Sequence, residues 1–87
     1  MREVVVVDGI RTPYVKAGTL FNEITAQELG RIALAELLVR TAIDPHMLDE
    51  VVVGNIAQPA EAANIARVIA LMAGVPQRVP GLTVGRN

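Results

Sequence analysis

The chain has 87 residues, enough for one small domain or for part of a larger one. Apolar residues make up 52% of it, which excludes a disordered tail, and its apolar runs are too short to span a membrane. A formal net charge of −1 gives no basic surface for nucleic acid, and with no cysteine there is no disulfide and no thiolate metal site. We find no signal-peptide pattern and expect a cytoplasmic protein.

The balance between burial and chain entropy indicates a part of a larger fold. A 9.3 kDa chain that folds compactly buries roughly 8,500 Å², worth about 130 kcal/mol if about 60% of that area is apolar. Ordering the chain costs about the same amount. With a mean hydropathy of +0.42, we expect residues 1–87 to be an incomplete amino-terminal part of a domain that packs against further protein.

The first predicted element is a strand at the valine run from Val4 to Val7. A continuous β-branched run favours a strand covered on both faces, as in a parallel sheet flanked by helices. Pro13 ends this region, and a loop with Gly18 and Asn22 as turn formers is predicted for residues 14–24.

A helix is predicted from Thr25 to about Ala42. Thr25 and Glu28 have the spacing of a capping box, in which the hydroxyl accepts from an amide and the carboxylate reaches back. Large apolar residues lie all round this helix, which is typical of a buried helix. Asp44 and Pro45 then predict a capped short turn that runs through Leu48.

A second strand is predicted at residues 51–53, ended by Gly54, and a second helix from Ile65 to Ala73. Asn64 is the expected N-cap of that helix, and Gly74 and Pro76 are its stop signals. Apolar residues surround its one charge, so we expect burial on most sides.

A short third strand is predicted at residues 82–84, with Leu82 and Val84 on one face and Thr83 on the other. The predicted order is therefore β-α-β-α-β, an α/β fold with parallel strands and right-handed crossovers.

Local chemistry offers no catalytic constellation. Asp8 and Arg11 follow the first strand without a dinucleotide fingerprint, so a turn in which they satisfy backbone groups is the favoured interpretation. His46 stands in a polar turn and is interpreted as a surface residue. Asp49 and Glu50 are neighbours that point to different faces, which makes them a poor acid–base pair.

A second cluster surrounds the start of the second helix. Glu61, Asn64 and Arg67 recur at intervals of three. One interpretation is helix capping plus an Arg satisfied by carbonyls or a carboxylate. The other is an anchor at an interface or behind the active site, since Arg is favoured for buried pairing.

Several motifs in order resemble the amino-terminal pattern of the thiolase family. They are VVVVDGIRTP at 4–13, TAQELG at 25–30, DP at 44–45, DEVVVGN at 49–55, NIAR at 64–67, AGVP at 73–76, VP at 79–80 and TVGRN at 83–87. The resemblance covers residues 2–87 and implies a thiolase-like fold. The stretch at 59–67 resembles the degradative branch, which acts on the 3-ketoacyl-CoA of fatty-acid β-oxidation.

The resemblance implies that the segment at 83–87 leads into a nucleophilic cysteine at a helix amino terminus. Thr83, Val84, Arg86 and Asn87 are then nucleophile-positioning residues, while Gly85 departs from the Asn or Ser usual in the family and receives no side-chain role. Residues 1–87 hold no catalytic, substrate-binding or metal-binding residue of the family. They bind no cofactor, and a coenzyme A thioester is the substrate of the complete protein.

The same resemblance implies partners and roles for other residues. The partners are the remainder of the thiolase chain and a second subunit, in a homodimer or a dimer of dimers. Asn64, Arg67 and Leu82 are the candidates for interface or supporting contacts. Two alternatives stay open: a non-catalytic truncated or docking fragment, and part of a related fatty-acid or polyketide condensing enzyme.

Overall fold

A computed structural model describes residues 2–16, 18, 23–56 and 64–85. The elements in chain order are helix α1 (Ala26–Thr41), a 3₁₀ turn (Pro45–Met47), strand β1 (Val51–Gly54), helix α2 (Ile65–Met72) and strand β2 (Gly81–Val84). The two strands pair in parallel, with Val51 opposite Gly81, and α2 lies between them in the chain. The α/β class is therefore confirmed, together with both helices and the second and third predicted strands.

The predicted first strand is absent from the described residues. Val4 and Val6 are 94% and 91% exposed, and no strand pairs with their backbone. The prediction of a strand here is wrong because β-branched residues stabilise a strand mainly through cross-strand and same-face contacts. Without such neighbours, the valine run has nothing to pack against.

Helix α1 begins as predicted, with the Thr25 hydroxyl accepting a hydrogen bond from the Glu28 amide at 3.2 Å. The prediction that the Glu28 carboxylate reaches back to complete the capping box is wrong. The Glu28 carboxylate instead accepts from the Arg31 Nε at 3.0 Å, and this hydrogen bond lowers the pKa of Glu28. A charge-assisted bond to a guanidinium is stronger than one to a neutral amide.

The predicted burial of α1 is also wrong, since none of its residues is buried and Val39 is 74% exposed. One side of the helix packs on α2, where Gly30 lies against Ile69 and Leu34 joins the core. Apolar residues on the other sides face solvent because no other element in the described ranges covers them.

The core lies on one face of α2, between α1 and β1. Ile65, Ala66, Ile69 and Ala70 are buried, whereas Leu71 and Met72 are almost half exposed. The expectation that α2 is buried on most sides is therefore wrong, because the described neighbours cover one face. The residues packed around that face are Leu34, Leu38, Leu48, Val51, Val53, Val68, Val75 and Val79.

The end of α2 follows its sequence signals closely. Gly74 has a φ of +90°, and its amide donates to the Leu71 carbonyl at 3.2 Å while the Val75 amide donates to the Ala70 carbonyl at 2.9 Å. These two bonds form a Schellman motif, in which glycine takes the left-handed conformation without a Cβ penalty. The buried Val75 packs in the same cluster as Ala70 and completes the motif.

The chain exposes more surface than a compact protein of its size. Its accessible area is 6615 Å², against roughly 5,000 Å² expected for a compact monomer of this mass. The exposed valine run and the uncovered sides of α1 contribute to this excess. None of the helices in the described ranges is long and apolar enough to cross a membrane.

The isolated 87-residue chain is expected to lack a cooperative fold. In the described ranges the buried residues are Ala66 and the members of two small clusters. Exposed apolar surface, such as that of the valine run and α1, promotes aggregation or a molten state. Purified chain should bind ANS and give a broad, non-cooperative thermal transition by circular dichroism. A sharp transition in a monodisperse monomer, established by sedimentation, would contradict this.

Candidate functional site

The N-terminus of α2 and strand β2 meet through the side chain of Thr83. Exposure alternates along β2, so that Gly81 and Thr83 face α2 while Leu82 and Val84 face away. The Thr83 Oγ1 accepts a hydrogen bond from the Ala66 amide at 3.0 Å and donates one to the Asn64 Oδ1 at 2.7 Å. The one polar side chain of the strand is thus turned towards the helix and is satisfied there.

Asn64 contacts both the helix and the strand. Its Oδ1 accepts from the Arg67 amide at 3.3 Å, which is the predicted N-cap bond. Its Nδ2 donates to the Gly81 carbonyl at 3.2 Å. One side-chain amide therefore caps α2 and is hydrogen-bonded to both inward-facing residues of β2.

Arg67 binds the segment between α2 and β2. Its Nη1 donates to the Val79 carbonyl at 2.8 Å and its Nη2 to the Gln77 carbonyl at 2.7 Å. In the described part of the chain it has no carboxylate partner. The interpretation of Arg67 as an Arg satisfied by carbonyls is confirmed, and the guanidinium fixes the turn that precedes β2.

Gly81 is a contributor that the sequence reasoning missed. A Cβ at this position would lie 2.9 Å from the Arg67 amide nitrogen and 3.1 Å from the Ala66 carbonyl carbon. Only glycine lets the strand come this close to the helix backbone. A glycine directly before a β-branched strand was the available signal.

Other charged residues singled out in the sequence make only local contacts or are exposed. Asp8 accepts from the Gly9 amide at 2.7 Å and Arg11 donates to the Thr12 carbonyl at 3.3 Å, so both side chains satisfy backbone groups as predicted, although residues 8–13 form no turn. Asp49 and Glu50 are exposed.

His46 is exposed and lies 2.9 Å from the Asp44 carboxylate, as expected of a surface histidine. Hydrogen bonds from the His46 amide and ring lower the pKa of Asp44. In the ranges that the structure describes, no three His, Asp or Glu side chains come together as metal ligands.

An apolar groove of about 250 Å³ lies between α1, α2 and β1. All of its lining residues have apolar side chains or none, so no polar side chain in the groove could orient a substrate. They are Ile10, Gly30, Ala33, Leu34, Leu37, Val51, Val52, Val53 and Ile69.

The chain matches the model of the thiolase N-terminal domain over residues 4–87. It belongs to the thiolase family. Similar curated proteins include the 3-ketoacyl-CoA thiolase of Aeromonas salmonicida, 41% identical over 95% of this chain, and a probable 3-ketoacyl-CoA thiolase of Caenorhabditis elegans, 39% identical over 97%. The mitochondrial trifunctional enzyme subunit beta of Homo sapiens is 39% identical over 97% of the chain. These 87 residues span 19%, 19% and 18% of the three relatives.

Within this thiolase segment, the structure unites some of the predicted site residues and leaves others apart. Asn64, Arg67 and Thr83 form one hydrogen-bonded cluster. Val84 has its carbonyl bonded to the Asn55 amide at 2.9 Å, and Leu82 is 49% exposed on the opposite face of the sheet. Glu61, Arg86 and Asn87 lie outside the described residues. The interface role of Leu82 stays a prediction.

Proposed function

We propose that residues 1–87 are the amino-terminal part of a longer thiolase that transfers acyl groups to coenzyme A. Its substrate is a 3-ketoacyl-CoA, which it cleaves to acetyl-CoA and a shortened acyl-CoA, or forms in the reverse direction. The support is the thiolase N-terminal domain match together with relatives named 3-ketoacyl-CoA thiolase. The limited coverage of those relatives, and the uncovered apolar side chains of Val52, Leu82 and Val84, fit a chain that continues.

In the proposed reaction the nucleophile is a cysteine that follows Asn87. Placed at a helix amino terminus, its thiol has a lowered pKa because the helix dipole and free amides stabilise the thiolate. The thiolate sulfur attacks the 3-keto carbon, and the bond between C2 and C3 breaks to leave an acyl-enzyme. The carbanion of acetyl-CoA takes up a proton and departs.

The second half of the reaction restores the enzyme. The thiol of a second coenzyme A gives up its proton, which replaces the one taken up by the carbanion, and its sulfur attacks the acyl-enzyme thioester. The bond between the acyl carbon and the cysteine sulfur breaks, acyl-CoA is released, and the electron pair of that bond returns to the cysteine thiolate. Amide donors near the carbonyl oxygen would stabilise both tetrahedral states. The scheme predicts ping-pong kinetics.

In this scheme residues 1–87 are scaffold. The observation that carries this role is the hydrogen bonding of β2 to α2 through Thr83 and Asn64, at 2.7 Å. Thr83 stands four residues before Asn87, so the strand that is anchored on the helix is also the one that leads towards the nucleophile.

The complete protein is proposed to be a homodimer, or a dimer of such dimers, that uses β2 at its interface. In the described sheet β2 has a single neighbour, β1, and an unpaired strand edge can accept another chain. Leu82 and Val84, 49% and 37% exposed, would lie beside that contact. Dimerisation would then be coupled to the placement of the cysteine.

The 87-residue chain alone is expected to be inactive, because it contains no cysteine. It should neither cleave acetoacetyl-CoA in the presence of coenzyme A nor become acylated by acetyl-CoA, as measured by intact mass. The complete protein should do both, and changing the cysteine after Asn87 to serine should abolish them. Covalent acylation of the short chain would contradict this expectation, and a complete protein without thiolysis would overturn the proposed function.

A further inference from the structure

Helix α2 is capped by two segments that are far apart in the chain. In an ordinary N-terminus the amides of the first turn have no intrahelical partner and are satisfied by the N-cap side chain or by water. Here Asn64 satisfies the Arg67 amide at 3.3 Å, while the Ala66 amide donates to Thr83 on β2 at 3.0 Å. The strand thus supplies part of the helix cap.

The two capping side chains are also bonded to each other. The Thr83 hydroxyl has a single proton, which it donates to the Asn64 Oδ1 at 2.7 Å. The same Asn64 amide reaches the Gly81 carbonyl at 3.2 Å. If β2 slid along α2, the Ala66 amide would lose its acceptor and the Asn64 side chain would lose both of its bonds to the strand.

We infer that Asn64 and Thr83 are a pair of positioning residues whose shared cap holds β2 in one register on α2 and thereby places the thiolase nucleophile. This inference rests on the proposed function, which puts that nucleophile after Asn87. A misplacement of about 1 Å in a catalytic group can reduce a rate on the order of a hundredfold. Hydrogen bonds that fix the register of β2 on α2 would therefore help to keep the reaction rate high.

Two substitutions in the complete protein separate the shared cap from simple helix capping. Thr83→Val keeps the branched shape and the backbone amide but removes the hydroxyl. Asn64→Ser keeps a good N-cap residue but is too short to bond the strand. Each should lower kcat for acetoacetyl-CoA thiolysis about tenfold, with KM within about twofold of the original. Because the two residues act as a unit, the double variant should be little worse than the more damaged single one.

The nucleophile itself gives a second readout. Its alkylation by iodoacetamide, followed against pH, should shift to higher pH in both variants, since a displaced thiol gains less from the helix amino terminus. Thr83→Ser, which keeps the hydroxyl, should recover most of the loss. Thr41→Val is the matched control, because it removes a hydroxyl that donates to the Leu37 carbonyl at 2.9 Å on the separate helix α1. It should leave kcat and the alkylation profile unchanged.

The outcomes distinguish this inference from the function on which it depends. A complete protein that does not cleave acetoacetyl-CoA would overturn both. An active protein whose Thr83→Val and Asn64→Ser variants keep the original kcat and alkylation profile would overturn the positioning role alone. The positioning role would also be overturned if the losses of kcat in the two single variants added up in the double variant, or if the variants lowered the melting temperature without changing kcat. If Thr83→Val fails to fold, Asn64→Ser and Thr83→Ser still decide the question.

Discussion

Replacing Thr83 by proline should weaken the proposed dimer of the complete thiolase and lower its activity, while leaving the pairing of β1 with β2 intact. The Val51 amide donates to the Pro80 carbonyl at 3.0 Å, and the Asn55 amide donates to the Val84 carbonyl at 2.9 Å. Since the backbone groups of alternate residues in a strand point to the same side, the Thr83 amide faces the open edge. Proline removes this outward donor.

The expected weakening follows from the symmetry of the proposed dimer. A two-fold contact loses one hydrogen bond per subunit, each worth about 0.5–1.5 kcal/mol, so Kd should rise roughly tenfold to a hundredfold. Sedimentation at several concentrations, with specific activity measured in parallel, tests this. If the Thr83→Pro variant remained an intact dimer with full activity, the proposed interface would be wrong.

Two control variants assign the effect to the open edge. Thr83→Val keeps the outward amide and should stay dimeric, although it loses the hydroxyl bond to Asn64. Leu82→Pro removes a donor that faces β1, so it should impair folding of the subunit as well as assembly. If Thr83→Val dissociates as readily as Thr83→Pro, the hydroxyl rather than the edge amide holds the subunits together.

Replacing Gly81 by alanine should destabilise the protein strongly. The new Cβ would meet Arg67 and Ala66 backbone atoms at 2.9–3.1 Å, and backbone atoms in a helix cannot rotate away as a side chain can. Overpacking of this kind costs about 1–3 kcal/mol, and we expect the upper part of that range because β2 must move off α2. The midpoint of urea unfolding of the complete protein should fall accordingly.

Gly54→Ala is the matched control for this prediction. Gly54 ends β1 at the register position opposite Val84, and a Cβ there would have its nearest contact at 3.9 Å, with the Val84 carbonyl oxygen. That is an ordinary van der Waals distance, so the urea midpoint should change little. Equal losses for Gly54→Ala and Gly81→Ala would show that the close approach of β2 to α2 is not the cause.

The candidate site was only partly predictable from the sequence. Asn64 and Arg67 were identifiable, because an N-cap residue and a lone charge among apolar residues can be recognised within one helix. Their link to Thr83 was not identifiable, since it joins residues 19 positions apart. The close packing at Gly81 was missed for the same reason, because it depends on how near two elements come.

What the sequence by itself determined are the features with local causes. The Asn64 cap and the glycine end of α2, and the 3₁₀ turn after Asp44, follow from interactions among residues close in the chain. Only the tertiary structure decided that the run from Val4 to Val7 stays unpaired, that α1 is uncovered on most sides, and that Thr83 faces inward. Burial and strand pairing depend on residues that are distant in the chain. A valine run or an apolar helix indicates that a segment can be buried, but it does not show whether another segment packs against it.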